Sequence, residues 1–242
     1  MIKTTRTIGL WIGAVFLLAG FSRGGGQLSK PYTQWNEKEA QKLLDDSPWG
    51  QTQVWSDTSR MFQTGPGRTA NASQTRDSSA DHVNFRIRFL SARPIRQATC
   101  RVIELQQKGP LPEQLTAQLK AFAAGDFPDY VVVTLTVDTR GTEARDQVQT
   151  AVSLLQTLTT AELKNNTYLL PRGGERVFLE EYQTPKKDGL GARFIFPRLV
   201  KGEPFVNVES GELLFHSELK GGPTINMRYK TKDMVYNGKF EY

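Results

Sequence analysis

The sequence predicts an α+β fold: a mixed β-sheet packed by three or four helices, with an antiparallel C-terminal β region ending in a hairpin. Three observations carry that expectation. Val83, Phe85, Ile87 and Phe89 alternate with Asn84, Arg86 and Arg88, the period-two signature of a half-buried strand. Tyr130 to Val137 is apolar at nearly every position, which suits a strand covered on both faces in the middle of a sheet. Beyond Thr167, short β-prone runs are separated by turns rich in Gly, Pro and Lys, and Asn237-Gly238 sets a closing hairpin from Met234 to Tyr242.

A leader precedes this domain. Lys3 and Arg6 form a basic start, and Ile8 to Gly20 is an apolar run too short to span a bilayer comfortably but suited to a signal peptide. Gly20 and Ser22 supply small residues for cleavage after Ser22, so residues 1–22 are expected to be a signal peptide. The alternative is an uncleaved N-terminal anchor, which would be the chain's one contact with a membrane. Leu18-Ala19-Gly20 looks like the start of a lipoprotein box, yet Phe21 stands where an acylated cysteine would have to be. Residues 23–34, opening with Arg23-Gly24-Gly25-Gly26, are expected to be a flexible tether, and 35–242 one domain.

The domain opens with Trp35 to Trp49. Asn36 is placed to cap a helix, Glu37 and Glu39 suit its positive end, and Ala40, Leu43 and Leu44 share one face. Pro48 ends the helix at Asp46 or Ser47. Gln51 to Trp55 follows as a short strand. Trp35 and Trp49 have two readings, as core anchors or as an aromatic pair that binds a partner. Residues 56–81 are polar throughout and are expected to form a mobile loop.

After the strand at Val83–Phe89, Pro94 fits the first turn of a helix whose buried stripe is Ile95, Ala98, Val102 and Leu105. Gly109-Pro110 ends it. A second helix carries Leu111, Leu115, Leu119 and Phe122 on its inner face, and an amphipathic helix over Thr142–Leu158 follows the Tyr130–Val137 strand. The later strands are expected at Thr167–Leu170, Val177–Tyr182, Ala192–Phe196, Glu212–Glu218 and Ile225–Lys230.

Three segments resemble a group of uncharacterised exported bacterial proteins. They are the W-x-x-x-E-A-x-K-x-L-x-D-S-P-W pattern of Trp35–Trp49, Phe89-Leu90-Ser91-Ala92-Arg93-Pro94, and Asp233 to Tyr242. The resemblance implies export and a single fold. It brings no catalytic residue with it.

Composition narrows the function. The chain has 242 residues and a formal charge of +6, and losing Lys3 and Arg6 with the leader leaves 29 basic against 25 acidic residues. That excess is modest and speaks for weak attraction to anionic surfaces, and an exported chain makes nucleic acid an improbable partner. Cys100 is the single cysteine, so an internal disulfide is impossible and stability must come from packing. The sequence lacks a G-x-S-x-G elbow, an H-E-x-x-H zinc helix, a P-loop and a C-x-x-C pair, and it implies neither metal nor cofactor.

The candidate anion site is an arginine cluster: Arg86 and Arg88 on one strand face, Arg93 at the start of the next helix, and Arg96 one turn on. A helix N-terminus beside guanidinium groups attracts anions, although a solvated basic face has the same appearance. The expected function is that of an exported, non-catalytic envelope protein, periplasmic or extracellular, that binds an envelope protein or an anionic surface. The alternative is an exported hydrolase whose site is assembled from His82, His216, Ser91 and a carboxylate such as Asp81. That reading requires the only two histidines to converge.

Overall fold

The computed structural model describes residues 30–56, 82–139 and 144–242. The leader at 1–22, most of the tether, the polar loop at 57–81 and Asp81 lie outside the described residues. The α+β class is observed: helices α1 (Glu37–Asp45), α2 (Arg93–Gln106), α3 (Glu113–Ala124), α4 (Arg145–Thr157) and α5 (Thr160–Leu163) accompany two principal sheets. No helix among the described residues is long and apolar enough to cross a membrane.

The first sheet contains β1 (Gly50–Ser56), β2 (His82–Phe89) and β3 (Tyr130–Thr139). The second is centred on β4 (Thr167–Pro171). The segment expected to be one strand over Val177–Tyr182 divides into β5 (Val177–Phe178), which joins the second sheet, and β6 (Glu181–Gln183), which joins the first. The chain crosses between layers at Leu179 and Glu180, where the amide of Leu179 donates to Thr167 and that of Glu180 to Ile195. β7 (Ala192–Pro197) returns to the first sheet, and β8 (Leu199–Val200) and β9 (Glu203–Pro204) form a small ribbon. β10 (Glu212–Glu218) and β11 (Thr224–Lys230) complete the second sheet, and β12 (Val235–Tyr236) and β13 (Lys239–Phe240) form the closing hairpin.

The first sheet runs β1-β2-β3-β7-β6 and the second β11-β10-β4-β5. Where the sequence suggested a mixed sheet, every pairing among the described strands is antiparallel. β3 is the middle strand of five, and Val131, Val132, Val133, Thr134 and Leu135 are all buried. Its β-prone run is thus explained by its central place.

Cross-strand partners share a face, so the register defines the core. Phe89, Val133 and Phe194 line up, as do Ile87, Leu135 and Ala192. Opposite them stand Leu213, Phe215, Leu169 and Tyr229 of the second sheet, each 0 % exposed. Rings interlock across the gap: Phe194 and Phe196 meet Phe215 at 5.5 and 6.2 Å, and Phe89 meets Tyr229 edge-on at 4.8 Å. The Tyr229 hydroxyl donates to the Ile87 carbonyl at 3.3 Å, which satisfies the one polar atom the ring brings inside. Two stacked sheets of this kind form a core about 10 Å thick.

The layers also meet at an edge. The Gln53 side-chain amide donates to Thr224 O at 2.9 Å and its carbonyl accepts from Asn226 N at 3.0 Å, while Gln51 donates to Arg228 O at 3.0 Å. β1 therefore caps the outer rim of β11 with side chains rather than a backbone ladder.

Helix α1 is built as its sequence indicates. Asn36 accepts from Glu39 N and Glu39 accepts from Asn36 N, a reciprocal capping box. Ala40, Leu43 and Leu44 are its buried residues. At its end the Ser47 hydroxyl donates to Leu43 O at 2.6 Å and accepts from Gly50 N at 3.0 Å, folding the chain into β1. A Cβ on Gly50 would stand 2.4 Å from Leu44 O, a backbone atom that cannot move aside, so only glycine allows this close approach. In α2 the buried positions are Pro94, Ile95, Arg96, Ala98 and Cys100, whereas Leu105, assigned to the stripe from spacing, is 38 % exposed. Cys100 packs with Leu119 and Ala123 of α3, and burial pushes its thiol up to about 11, which suits packing and not nucleophilic work.

The closing hairpin turns on Asn237 and Gly238, both with positive φ, as the dipeptide predicts. It folds back onto the start of the domain. Trp49 Nε1 donates to Glu241 O at 2.8 Å across 192 residues, and the Trp49 ring meets Tyr236 edge-on at 6.3 Å. Tyr236 in turn donates to Gln97 Oε1 at 2.7 Å. Trp49 O accepts from Phe89 N at 2.8 Å, so the ends of α1 and β2 and the closing hairpin meet at one place. Trp49→Ala is expected to lower stability by about 3–5 kcal/mol through cavity formation. Trp49→Phe is expected to cost about 1–3 kcal/mol because Glu241 O loses its buried donor. Urea unfolding midpoints of the two variants against the parent check both values.

Candidate functional site

Trp35 and Trp49, the proposed partner-binding pair, are both 0 % exposed. Trp35 donates to Lys30 O at 3.2 Å and packs edge-on against Tyr32, and Arg101 grips its carbonyl at 2.7 Å. Neither ring offers a surface to a partner. They anchor the helix and the hairpin, because rings of that size gain most by leaving water.

The four arginines are likewise engaged internally. Arg86 and Arg88 do lie on the outer face of the first sheet, but their side chains are only 14 % and 13 % exposed. Arg86 pairs with Asp45 through Nη1 and with Asp138 of the neighbouring strand through Nε and Nη2. Arg88 Nη2 reaches Asp45 Oδ1 at 3.0 Å, and its Nε donates to Leu44 O at 2.9 Å. The helix end that brings Asp45 here gains a cation at its negative pole, which answers the unfavourable placement of acid at a helix C-terminus. Burial raises the Asp45 carboxyl, but hydrogen bonds from Gln41, Arg86 and Arg88 outweigh it and hold the group below its usual range.

Arg93 and Arg96 do flank a helix N-terminus that attracts an anion, and the anion is the chain's own. Arg93 N, in the first turn of α2, donates to the Glu241 carboxylate at 3.0 Å, and that side chain is only 8 % exposed. The Arg93 guanidinium reaches Asp126 at 3.0 Å. Arg96 is wholly buried. It donates to Leu90 O and Phe122 O at 3.2 Å each, and to Ser91 O and Gly125 O, and stands over the Phe127 ring at 5.1 Å. Burial lowers the Arg96 guanidinium from its ordinary value. Four carbonyls take four of the five guanidinium N–H donors and the side chain is wholly buried, so Arg96 is a structural tie between α2 and the end of α3.

The groups of the hydrolase reading do not converge. His82 shares the outer face of the first sheet with Asn84 and Arg86 by strand alternation. His216 shares the outer face of the second sheet with Tyr168 and Asn226. The two imidazoles therefore point away from each other across the core. The Ser91 hydroxyl is buried and accepts from Val132 N at 3.1 Å. Among the described residues no three of His, Cys, Asp and Glu stand together as a metal site would require.

The face that sequence reading missed is the outside of the second sheet. Phe178 of β5, Tyr168 of β4, His216 of β10 and Asn226 of β11 are direct cross-strand partners and form one row across the whole sheet. Tyr168 and His216 stack at 4.7 Å with 22° between their planes, and Phe178 meets Tyr168 edge-on at 5.9 Å. His216 Nδ1 lies 2.7 Å from Asn226 Oδ1 and its Nε2 lies 3.5 Å from Glu218. The Arg176 guanidinium carbon stands over the Tyr168 ring at 4.6 Å. Arg176 is exposed and has no carboxylate partner among the described residues, and Phe178 is 43 % exposed. Leu170 and Leu214 form the next row, ending at Arg228, which pairs with Glu212 at 2.5 Å. The alternation of Tyr168 and Leu170 with buried neighbours was visible in the sequence, but joining four strands into one row needs the register.

No family model matches the chain, and neither does any curated protein. One solved structure is similar, a novel protein of unknown function from Burkholderia pseudomallei K96243. It is 12 % identical with a TM-score of 0.38, over 60 % of this chain and 74 % of that one. The shared backbone is too slight for either chain to inform the other.

Two measurements test these assignments. Glu241→Gln keeps the size of the helix cap but removes its charge, and is expected to cost about 1 kcal/mol in urea unfolding. Asp45 has a lower folded than unfolded carboxyl pKa. Its pairing therefore contributes fully above about pH 4 and is lost as pH falls through the folded value. Asp45→Asn is expected to lower stability at neutral pH by about 1–3 kcal/mol and to flatten the acid limb of the stability profile below the unfolded value.

Proposed function

We propose that this chain is an exported, non-catalytic protein of the bacterial envelope, periplasmic or extracellular, that acts by binding a partner or an anionic surface. Export rests on the leader: a basic start, a short apolar run and small residues at the cleavage position. The binding role rests chiefly on one observation, the aromatic and basic face of the second sheet, where Phe178 and Arg176 are exposed and packed on the Tyr168–His216 stack. Elsewhere the charged groups that attracted attention in the sequence are used up in holding the fold. Arg86, Arg88, Arg93 and Arg96 all have internal acceptors.

The contact surface of this reading is thus moved from the first sheet to the second. An exposed basic face with modest net charge binds weakly and in a salt-dependent way, since exposed charges are screened over about 8–10 Å at physiological ionic strength. In the producing bacterium the full chain is expected to fractionate with the periplasm, envelope or medium, and recovery wholly in the cytosol overturns export. Envelope fractions at low salt are expected to retain the chain, and Arg176→Gln and Arg228→Gln, together with Arg172→Gln at an exposed residue that directly follows β4, are expected to reduce the retained amount several-fold. Unchanged retention of the triple variant overturns the assigned surface.

A further inference from the structure

We propose that the outer face of the second sheet binds an anionic polysaccharide, with Arg176 receiving its acidic group, the exposed Phe178 ring carrying a sugar ring, and Asn226 at the far end of the row meeting its hydroxyls. The proposal rests on the binding role above and names its ligand. Four features point to this class.

The first is the state of Arg176. Its guanidinium rests on the Tyr168 ring at 4.6 Å, which orients the group while leaving its N–H edges to solvent. By contrast, Arg86, Arg88, Arg93, Arg193 and Arg228 each hold a carboxylate. An oriented guanidinium without a carboxylate partner among the described residues suits bidentate recognition of a carboxylate or sulfate.

The second is the alternation of the row. A ring with a 43 % exposed surface at Phe178 is followed by a phenol, an imidazole and a carboxamide, spaced by neighbouring strands about 4.8 Å apart. A pyranose has the same mixed character: an apolar C–H face that lies on the Phe178 ring, and hydroxyls that exchange hydrogen bonds with the exposed Asn226 carboxamide.

The third is shape. A four-stranded sheet face presents a broad surface rather than a cleft, and small ligands are held in concave sites that bury most of their area. An extended polymer gains its affinity from many shallow contacts and needs no cavity.

The fourth is charge. The outward residues Arg176, Arg228 and Lys230 outnumber Glu212 and Glu218, and Glu212 is already held by Arg228. The excess complements an acidic chain. A lipid surface would call for apolar side chains protruding beyond the basic ones, whereas Leu170 and Leu214 are half-buried.

The test is affinity electrophoresis of the full chain in native gels cast with polygalacturonate, with neutral dextran as control and phosphatidylglycerol vesicles assayed in parallel by sedimentation. Retardation by polygalacturonate but not by dextran is expected. Arg176→Gln and Phe178→Ala are each expected to weaken it about fivefold to tenfold, equivalent to the loss of one oriented cation or one stacking ring. Lys108→Gln removes the same charge from an exposed position away from this face and is expected to stay within about twofold. Far-ultraviolet circular dichroism establishes that the variants remain folded. Absence of retardation overturns the proposal, as does equal loss in Arg176→Gln and Lys108→Gln, which would mean net charge alone. Sedimentation with vesicles without retardation by polygalacturonate assigns the face to lipid and also overturns it. If the chain still binds envelope fractions while ignoring polygalacturonate, the ligand is wrong and the wider binding role stands.

Discussion

Burial of aromatic rings between two antiparallel sheets is the constraint on which the rest of this structure depends. In a strand the side chains alternate, so placing Phe85, Ile87 and Phe89 inside compels Asn84, Arg86 and Arg88 to the outside. The same rule on the second sheet puts Leu169, Leu213 and Phe215 inside and Tyr168, Leu214 and His216 outside. The core therefore determines what each outer face presents. On the first sheet the outward-pointing cations are met by Asp45 and Asp138, and the face becomes part of the scaffold. On the second, Arg176 and Phe178 meet nothing comparable among the described residues. The two faces have similar ingredients and different fates because carboxylates meet both outward arginines of β2, whereas on the second sheet Glu212 meets Arg228 and Arg176 has no carboxylate partner among the described residues.

Much of the fold was legible because its signals are local. The cap at Asn36, the stop at Pro48, the alternation at Val83–Phe89 and the Asn237-Gly238 turn each depend on a few neighbouring residues. What could not be read depends on distant pairing. Nothing within Val177–Tyr182 announces that the run leaves one sheet for another at Leu179, since that step is decided by which strand each half finds. The candidate site failed for the same reason. Arg88 looks free until Asp45 arrives from 43 residues away, and Arg93 until Glu241 arrives from 148. The row across the second sheet is drawn from four strands whose order, β11-β10-β4-β5, does not follow the sequence.

The internal use of the α2 N-terminus shows how an apparent ligand site can be consumed by folding. The positive pole of a helix attracts any nearby anion, and a carboxylate tethered to the same chain reaches it without the loss of translational freedom that a free ligand suffers. Glu241 also offers its carbonyl to Trp49, so one residue joins the turn after the first helix, the second helix and the last hairpin. Arg96 does the same work with opposite charge, drawing together four backbone carbonyls from the start of α2 and the end of α3.

The carboxamides of Gln51 and Gln53 have a wider meaning. By meeting the backbone of Thr224, Asn226 and Arg228, they occupy the hydrogen-bonding groups through which a foreign strand would dock onto β11. At the opposite margin, β5 offers only two residues for such docking. Fibril growth by edge recruitment is thereby discouraged at both borders of the second sheet, and a protein so sealed can keep sticky rings in the open without polymerising.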